Sequence, residues 1–451
     1  MLKFAQSPYH QSRQDVYKLF SYLNKFTQKS VKHLEKETIL NYVYPNQSLE
    51  NRKAYDLATL ALKTLEDFLA IEHFQKQRTR KLFTLLETCQ ERKLHTKSNS
   101  ILKKIDRQLQ RQAIQNSDFL FTNYQFKHQQ YQQHHLQQQQ RNAPVFLQEV
   151  TDSLDVVYIA EKLKQACTIL AHQAVYKTDY QTGLLPSIID FIQKNEAYLE
   201  YPAIGIYYYC YQSLSQPHED RFFDQFKSLI LKHTQTFPKQ ELRDLYLLAI
   251  NYGIKAYNNR KKSYLTEVFE LYQQALKQDM LLQNNQLSAF SFKNIIGIAL
   301  KLNQADWTKH FIQQYQQYLS SDIRETYVHY GTSKLFFSQK NYEKAMLLLQ
   351  QVEYSDLFLN IDAKVMLLQM YYELGEYGTL ESFLNSFKVF LMRKKLIGYH
   401  KDIYMNIIRL TQKLLHVNPF DKKEKQQLKI TIEQTTPLTE KDWFLEQLQK
   451  L

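Results

Sequence analysis

The sequence predicts an all-α protein, an α-α superhelix of tetratricopeptide-like helical hairpins preceded by a separate N-terminal helical section. Three observations carry that expectation. Apolar residues recur over most of the chain at the spacing of one helix face. Only eight glycines and nine prolines punctuate 451 residues, too few turn formers for a β chain of this length. After about residue 150 the helical segments come in pairs, and further along these recur at intervals of roughly 35 to 45 residues, the period of arrays in which each hairpin buries its apolar face against the next.

The N-terminal section, residues 1–145, opens with Ser12-Arg13-Gln14-Asp15 ahead of Val16, Leu19, Phe20 and Leu23. A hydroxyl followed three positions later by an acid, and then by an apolar stripe, predicts a capped helix from about Gln14. Tyr44-Pro45-Asn46 ends the next helix. Ser48 is placed to cap a long one whose apolar positions are Tyr55, Leu57, Ala58, Ala61, Leu62, Leu65, Phe68 and Leu69. Residues 76–111 are the most basic stretch, with 11 Lys/Arg against Glu87, Glu91 and Asp106. There Ile101, Leu102, Ile105 and Leu109 form the stripe expected to be buried. Lys104, Arg107 and Arg111 line up as a ridge on another face, the candidate anion-binding residues of the sequence. Residues 125–140 hold nine Gln and three His, a low-complexity run that predicts an exposed helix end or flexible connector before Asn142-Ala143-Pro144.

Residues 146–451 make up the paired section. Helix pairs are expected near 241–257 and 263–278, 286–302 and 305–320, 323–338 and 342–353, and 359–373 and 377–391. Gly253, Gly297 and Gly331 each fall inside a first helix, ten or eleven residues before the aromatic that opens the second, Tyr264, Trp307 or Tyr342. A mid-helix glycine costs about 1 kcal/mol relative to alanine, so equivalent placement predicts that a neighbouring backbone or ring comes close there. At the end, Leu438-Thr439-Glu440-Lys441-Asp442-Trp443 predicts a closing helix from residue 440. Thr439 would cap it, Asp442 would return the bond, Leu438 would staple to Trp443, and Phe444, Leu445, Leu448 and Leu451 would form its apolar side.

One unit reads Phe336-Phe337-Ser338-Gln339-Lys340-Asn341-Tyr342-Glu343-Lys344-Ala345, continuing to Leu349 and Val352. It resembles a tetratricopeptide repeat: an aromatic end to the first helix, a polar turn, then Tyr and a small Ala opening the second. Tyr371-Tyr372-Glu373-Leu374-Gly375-Glu376-Tyr377, with Leu380, Leu384 and Phe387 behind it, repeats the arrangement. Asn303-Gln304-Ala305-Asp306-Trp307 is a degenerate version, with His310 where the small alanine belongs, and the family's closing proline is absent throughout. Ser7-Pro8-Tyr9-His10, Leu19-Phe20-Ser21-Tyr22-Leu23, Thr64-Leu65-Glu66-Asp67-Phe68-Leu69 and Glu440-Lys441-Asp442-Trp443 resemble an uncharacterised bacterial family of helical-repeat proteins. That resemblance implies architecture and no activity.

No GxGxxG, GxxxxGK[ST], GxSxG, HExxH, CxxC or EF-hand loop occurs, so no catalytic residue, cofactor or metal ligand is expected. His128 and His135 would share a helix face, about 10.5 Å apart and too distant to hold one metal ion. Cys89, Cys167 and Cys210 have irregular gaps that fit buried thiols in a reducing cytoplasm. No apolar run suits a signal peptide or a membrane span. The formal charge of +13 is concentrated in residues 1–145, where 23 basic residues face 12 acidic ones. Thirty-three tyrosines, among them Tyr207-Tyr208-Tyr209 and Tyr211, suit packing between helices. Together these features predict a non-enzymatic scaffold for a protein or peptide partner, with binding of nucleic acid or another polyanion by the basic section as the alternative.

Overall fold

The computed structural model describes residues 1–7, 9–10, 13–26, 34–45, 51–136, 143–176, 178–259, 261–350, 356–393 and 400–451. The chain is about 80% helical, and among the described residues the only strands are the two of one short hairpin. It divides into two compact units, residues 1–112 with 122–151, and residues 113–121 with 152–451.

The first unit holds α1 (Leu2–Ala5), α2 (Gln14–Phe26), α3 (Lys36–Val43), α4 (Asn51–Lys76), α5 (Arg78–Glu91), α6 (His95–Gln110), most of α7 (Ser117–Leu136) and the start of α8 (Ala143–Tyr176). Val16, Leu19, Leu40, Val43, Leu57 and Ala61 form one buried cluster that joins α2, α3 and α4. Both expected caps, Ser12 and Ser48, lie outside the described residues. Asp15 accepts instead from the Arg13 guanidinium at 2.5 Å, from the Val16 N–H at 2.9 Å and from the Tyr44 hydroxyl, tying the start of α2 to the end of α3. These bonds hold its carboxyl below the usual range, against burial, which raises it.

Two expectations need correction here. The apolar positions expected of α4 belong to two faces: Leu57 and Ala61 are buried, whereas Tyr55, Leu62 and Leu69 are more than half exposed. Tyr55, Leu62 and Leu69, seven apart, share one face, whereas Leu57 stands five residues from Leu62 and twelve from Leu69, well round the helix from them. The Gln/His-rich run is helix as far as Leu136, with Phe126 and Gln133 buried; residues 137–142 lie outside the described residues. Glutamine has good helix propensity, and composition alone does not decide exposure.

The second unit continues with α9 (Leu185–Lys194), α10 (Pro202–Ser215), α11 (Asp220–Lys232), α12 (Lys239–Asn258), α13 (Tyr264–Lys277), α14 (Ala289–Lys301), α15 (Ala305–Tyr315), α16 (Arg324–Ser338), α17 (Tyr342–Gln350), α18 (Leu357–Glu373), α19 (Tyr377–Arg393), α20 (His400–His416), α21 (Lys422–Gln434) and α22 (Lys441–Lys450). Consecutive helices pack as pairs, α10 with α11, α12 with α13, α14 with α15, α16 with α17 and α18 with α19. First helices also meet across pairs, α10 with α12, α14 with α16 and α16 with α18.

One turn recurs within the pairs. Asn303, Lys340 and Gly375 take positive φ (57°, 59° and 75°) just past the ends of α14, α16 and α18. In each case the next N–H returns to a carbonyl five residues earlier: Gln304 to Ala299, Asn341 to Phe336 and Glu376 to Tyr371, at 2.9 Å each. That is a Schellman C-cap, which satisfies carbonyls the helix leaves open and turns the chain into the second helix. Between α13 and α14 a helix is expected from residue 286, but Asn284 and Asn285, both at positive φ, form a two-residue turn joining strands β1 (Leu282–Gln283) and β2 (Gln286–Leu287).

Close approach explains two of the three first-helix glycines. A Cβ on Gly253 would stand 2.4 Å from Val268 Cγ2, and one on Gly331 2.7 Å from Ile296 Cδ1. The intruders are aliphatic side chains and not the backbone or ring expected. Tyr246, Tyr272 and Tyr330 are fully buried between helices. All three cysteines are free and buried.

A buried carboxylate fastens the segment before α7 to α12. Glu241 accepts from Asn116 Nδ2 (2.8 Å), Lys164 Nζ (2.9 Å) and Tyr207 Oη (2.7 Å). Burial alone would raise its pKa; the three donors hold it below the usual carboxylate range. At the other end, Phe444 and Leu448 of α22 join a core built from α18 to α22, with Leu438, Trp443, Leu445 and Leu451 packed against it. The expected capping box is not formed. The N-cap of α22 is Glu440 with no side-chain bond to the helix, and Asp442 pairs with Lys262 at 3.2 Å.

Candidate functional site: a lysine-lined groove on the first helices

On α14, Lys293, Gly297 and Lys301 stand four residues apart and share a face. Lys334 reaches the same face from α16, beside Gly297: a Cβ there would lie 3.4 Å from Lys334 Nζ, an ordinary contact. The three ammonium groups border a cavity of about 190 Å³, completed by Ile254, Tyr257 and Asn258 of α12, Leu265 and Val268 of α13, Asn294 and Ile298 of α14, and Asp362 of α18.

The lysines differ in their partners. Lys293 donates to Asp362 at 2.8 Å, and the second oxygen of that carboxylate accepts from Tyr404 at 3.3 Å. Lys301 lies 5.3 Å from the centre of the Tyr257 ring, and Lys334 lies 5.8 Å from that of Tyr330, in cation–π range. Among the described residues neither Lys301 nor Lys334 has a carboxylate oxygen within 4.0 Å.

Burial pushes the Lys334 amine below the usual lysine range, and the charges of Lys301 and Lys293 add to this against Asp362 and Glu440. Lys301 shows the reverse. Burial would lower it, but Glu440, then Tyr257 and Asp442, hold it above the usual range. Lys301 keeps a solvent-exposed surface while protein packs around its flanks, so the site is an open groove.

The acidic groups come from the chain's own C-terminal helix. Trp443 Nε1 donates to Glu373 Oε1 at 2.8 Å, and Tyr342 donates to Glu373 Oε2 at 2.5 Å. Gln369 donates to Glu440 at 3.3 Å. These bonds dock α22 against α18 and bring Glu440 and Asp442 into the electrostatic reach of the lysines.

The arrangement suits an anion. Two ammonium groups with no carboxylate in direct contact, Lys334 partly buried and Lys301 exposed beside it, gain from a negatively charged ligand. Among the described residues no three His, Cys, Asp or Glu side chains gather where they could share a metal ion, and no helix is long and apolar enough to cross a membrane. A wider depression along α19, of about 780 Å³, is bordered by Arg393 alone among charged residues and offers no comparable grouping.

The ridge expected from the sequence lies in the other unit. Lys104 and Arg107 are exposed on α6 and Arg111 is exposed at its C-cap, with Ile101, Leu102, Ile105 and Leu109 buried opposite. None of the three cations makes an ion pair among the described residues. His128, His134 and His135 each contact an aromatic ring: His134 stacks on Phe146 at 4.2 Å, while His128 and His135 lie beside Tyr124 and Tyr131. Lys293, Lys301 and Lys334 were missed by sequence reasoning. Their one signal is the placement of two lysines four residues either side of Gly297.

No family model matches this chain, and no match to a curated protein was found.

Proposed function

We propose that this chain is a non-enzymatic binding scaffold in which residues 146–451 form a tetratricopeptide-like array of helical hairpins, with the groove on the first helices taking an extended segment of a polypeptide partner. The observation that carries this is the lysine-lined cavity shared by α12, α14, α16 and α18. A surface built from one face of successive first helices presents side chains at regular intervals, which suits an extended chain better than a compact ligand. The cavity is also smaller than the ~300–1,000 Å³ that encloses a whole small molecule, so it fits one group of something larger. The recurring turns at Asn303, Lys340 and Gly375 support the array. Buried free thiols fit residence in a reducing cytoplasm.

Affinity capture with the full-length protein tests the reading. Gly297→Trp fills the groove from a position where only Lys334 stands close. A polypeptide retained by the wild type and lost with Gly297→Trp, at unchanged helical content, is the expected result. Capture indifferent to the substitution refutes it.

The second reading assigns polyanion binding to the basic section, and the exposed, unpaired state of Lys104, Arg107 and Arg111 favours it. Retention on nucleic acid is then expected to fall steeply with salt and to drop on charge reversal of the three residues. Retention that survives the reversal removes this reading.

A further inference from the structure

An ammonium group partly withdrawn from water is normally matched by a carboxylate, because an unpaired buried charge is costly. Lys293 has its match in Asp362; no carboxylate oxygen touches Lys301 or Lys334 among the described residues, and only the longer-range charge of Glu440 and Asp442 reaches Lys301. The nearby carboxylates are committed elsewhere, Glu440 to Gln369 and Asp442 to Lys262.

We propose that the groove reads acidic side chains, a Glu or Asp carboxylate of an extended polypeptide segment seating between the Lys301 and Lys334 ammonium groups. This rests on the scaffold function above and names the chemistry that the scaffold selects. A carboxylate suits the site better than a phosphate. With Lys293 neutralised and the charges of Glu440 and Asp442 already acting on Lys301, the uncompensated charge is small, and a monoanion matches it where a dianion would be repelled by those two acids. The chain's own Glu440-Lys441-Asp442 already shows acidic groups of a peptide segment answering the charge of Lys301.

The test is selection of random decapeptides, acetylated and amidated, on the full-length protein. Blocking the ends leaves side chains as the only carboxylates. A parallel library with free C-termini separates terminal carboxylates from side-chain ones. Asp or Glu is expected to be enriched at one position at least. Changing that acid to its amide, or introducing Lys301→Ala or Lys334→Ala, is expected to weaken the selected peptide about tenfold or more, the worth of one charge-assisted hydrogen bond. Asp442→Asn is expected to strengthen it about two- to threefold, since it removes a like charge that acts on Lys301. Lys334→Met keeps the helix packed if the alanine variant does not fold.

Selected peptides that carry no acid, or that ignore the lysine substitutions, overturn the proposal and leave the scaffold standing. Enrichment confined to the free C-terminal library overturns the side-chain assignment. A library from which nothing is enriched counts against both readings.

Discussion

Alanine at Gly253 is expected to act against the usual sign of a glycine-to-alanine change in a helix. Propensity alone favours alanine by about 1 kcal/mol. The added methyl, however, would stand 2.4 Å from Cγ2 of Val268, a side chain that is fully buried in α13. Valine in a helix has one strongly preferred rotamer, so the methyl has no free direction in which to move. Overpacking of this kind costs about 1–3 kcal/mol, leaving a net loss of about 1 kcal/mol. Gly378 provides the control: it sits in α19 with nothing within 4 Å of an added Cβ, and alanine there is expected to stabilise by up to about 1 kcal/mol. Combining Gly253→Ala with Val268→Ala relieves the clash, so the double variant is expected to be more stable than the sum of the singles by about 1–2 kcal/mol. Urea unfolding followed by tryptophan fluorescence reads this in the relevant unit, because both tryptophans, Trp307 and Trp443, lie there. If Gly253→Ala stabilises as Gly378→Ala does, or shows no coupling to Val268, the close approach of α12 and α13 is not the reason for that glycine.

Glu241 has a folded-state pKa below its unfolded value, so its stabilisation is fully present above the unfolded pKa of about 4.3 and fades as pH falls through the folded pKa. Glu241→Gln is therefore expected to cost about 1–3 kcal/mol at pH 7, leaving Lys164 without its partner, and almost nothing at pH values below the folded pKa, in urea titrations across that range. Lys334 has the opposite sense: its folded pKa is below the unfolded value of about 10.4, so its ammonium disfavours folding at neutral pH and that penalty is relieved as pH rises through the folded pKa. Lys334→Met is expected to raise stability at pH 7 by about 0.5–2 kcal/mol in thermal unfolding while impairing acidic-peptide binding, the trade-off of a site kept for function. Phe444→Ala removes a fully buried ring from the core shared by α18 to α22; a loss of about 3–5 kcal/mol is expected in the same unfolding assay.

The pairing of helices was legible because amphipathic spacing and turn chemistry are local. Tyr342 and Tyr377 open α17 and α19 as expected, since the Schellman turns before them need only a residue tolerant of positive φ and a polar successor. Where a local rule met a competitor, local or distant in sequence, the structure departs from it. Asn284-Asn285 took hairpin geometry in place of a helix start, and Asp442 paired with Lys262 in place of closing a capping box. Exposure on α4 and burial on α7 depend on which neighbours cover each face, which no single helix encodes. The groove was least legible for the same reason. A lysine facing a neighbouring first helix and one facing water look alike in sequence, and only the four-residue spacing about Gly297 separates Lys293 and Lys301 from the solvated majority. At Gly297 the expected close approach of a backbone or ring is not what the structure shows: the nearest group is the ammonium of Lys334, at ordinary contact distance from an added Cβ.

Hydrogen–deuterium exchange of the full-length protein, with and without a selected acidic peptide, tests the groove most directly. Added protection on the groove helices α12, α14, α16 and α18 is the expected pattern, with the groove-facing turns around Asn258, Gly297 and Lys334 slowed most. Protection that falls on α5 and α6 instead, or none in the second unit while the peptide is bound, contradicts the assignment of the groove as the binding surface.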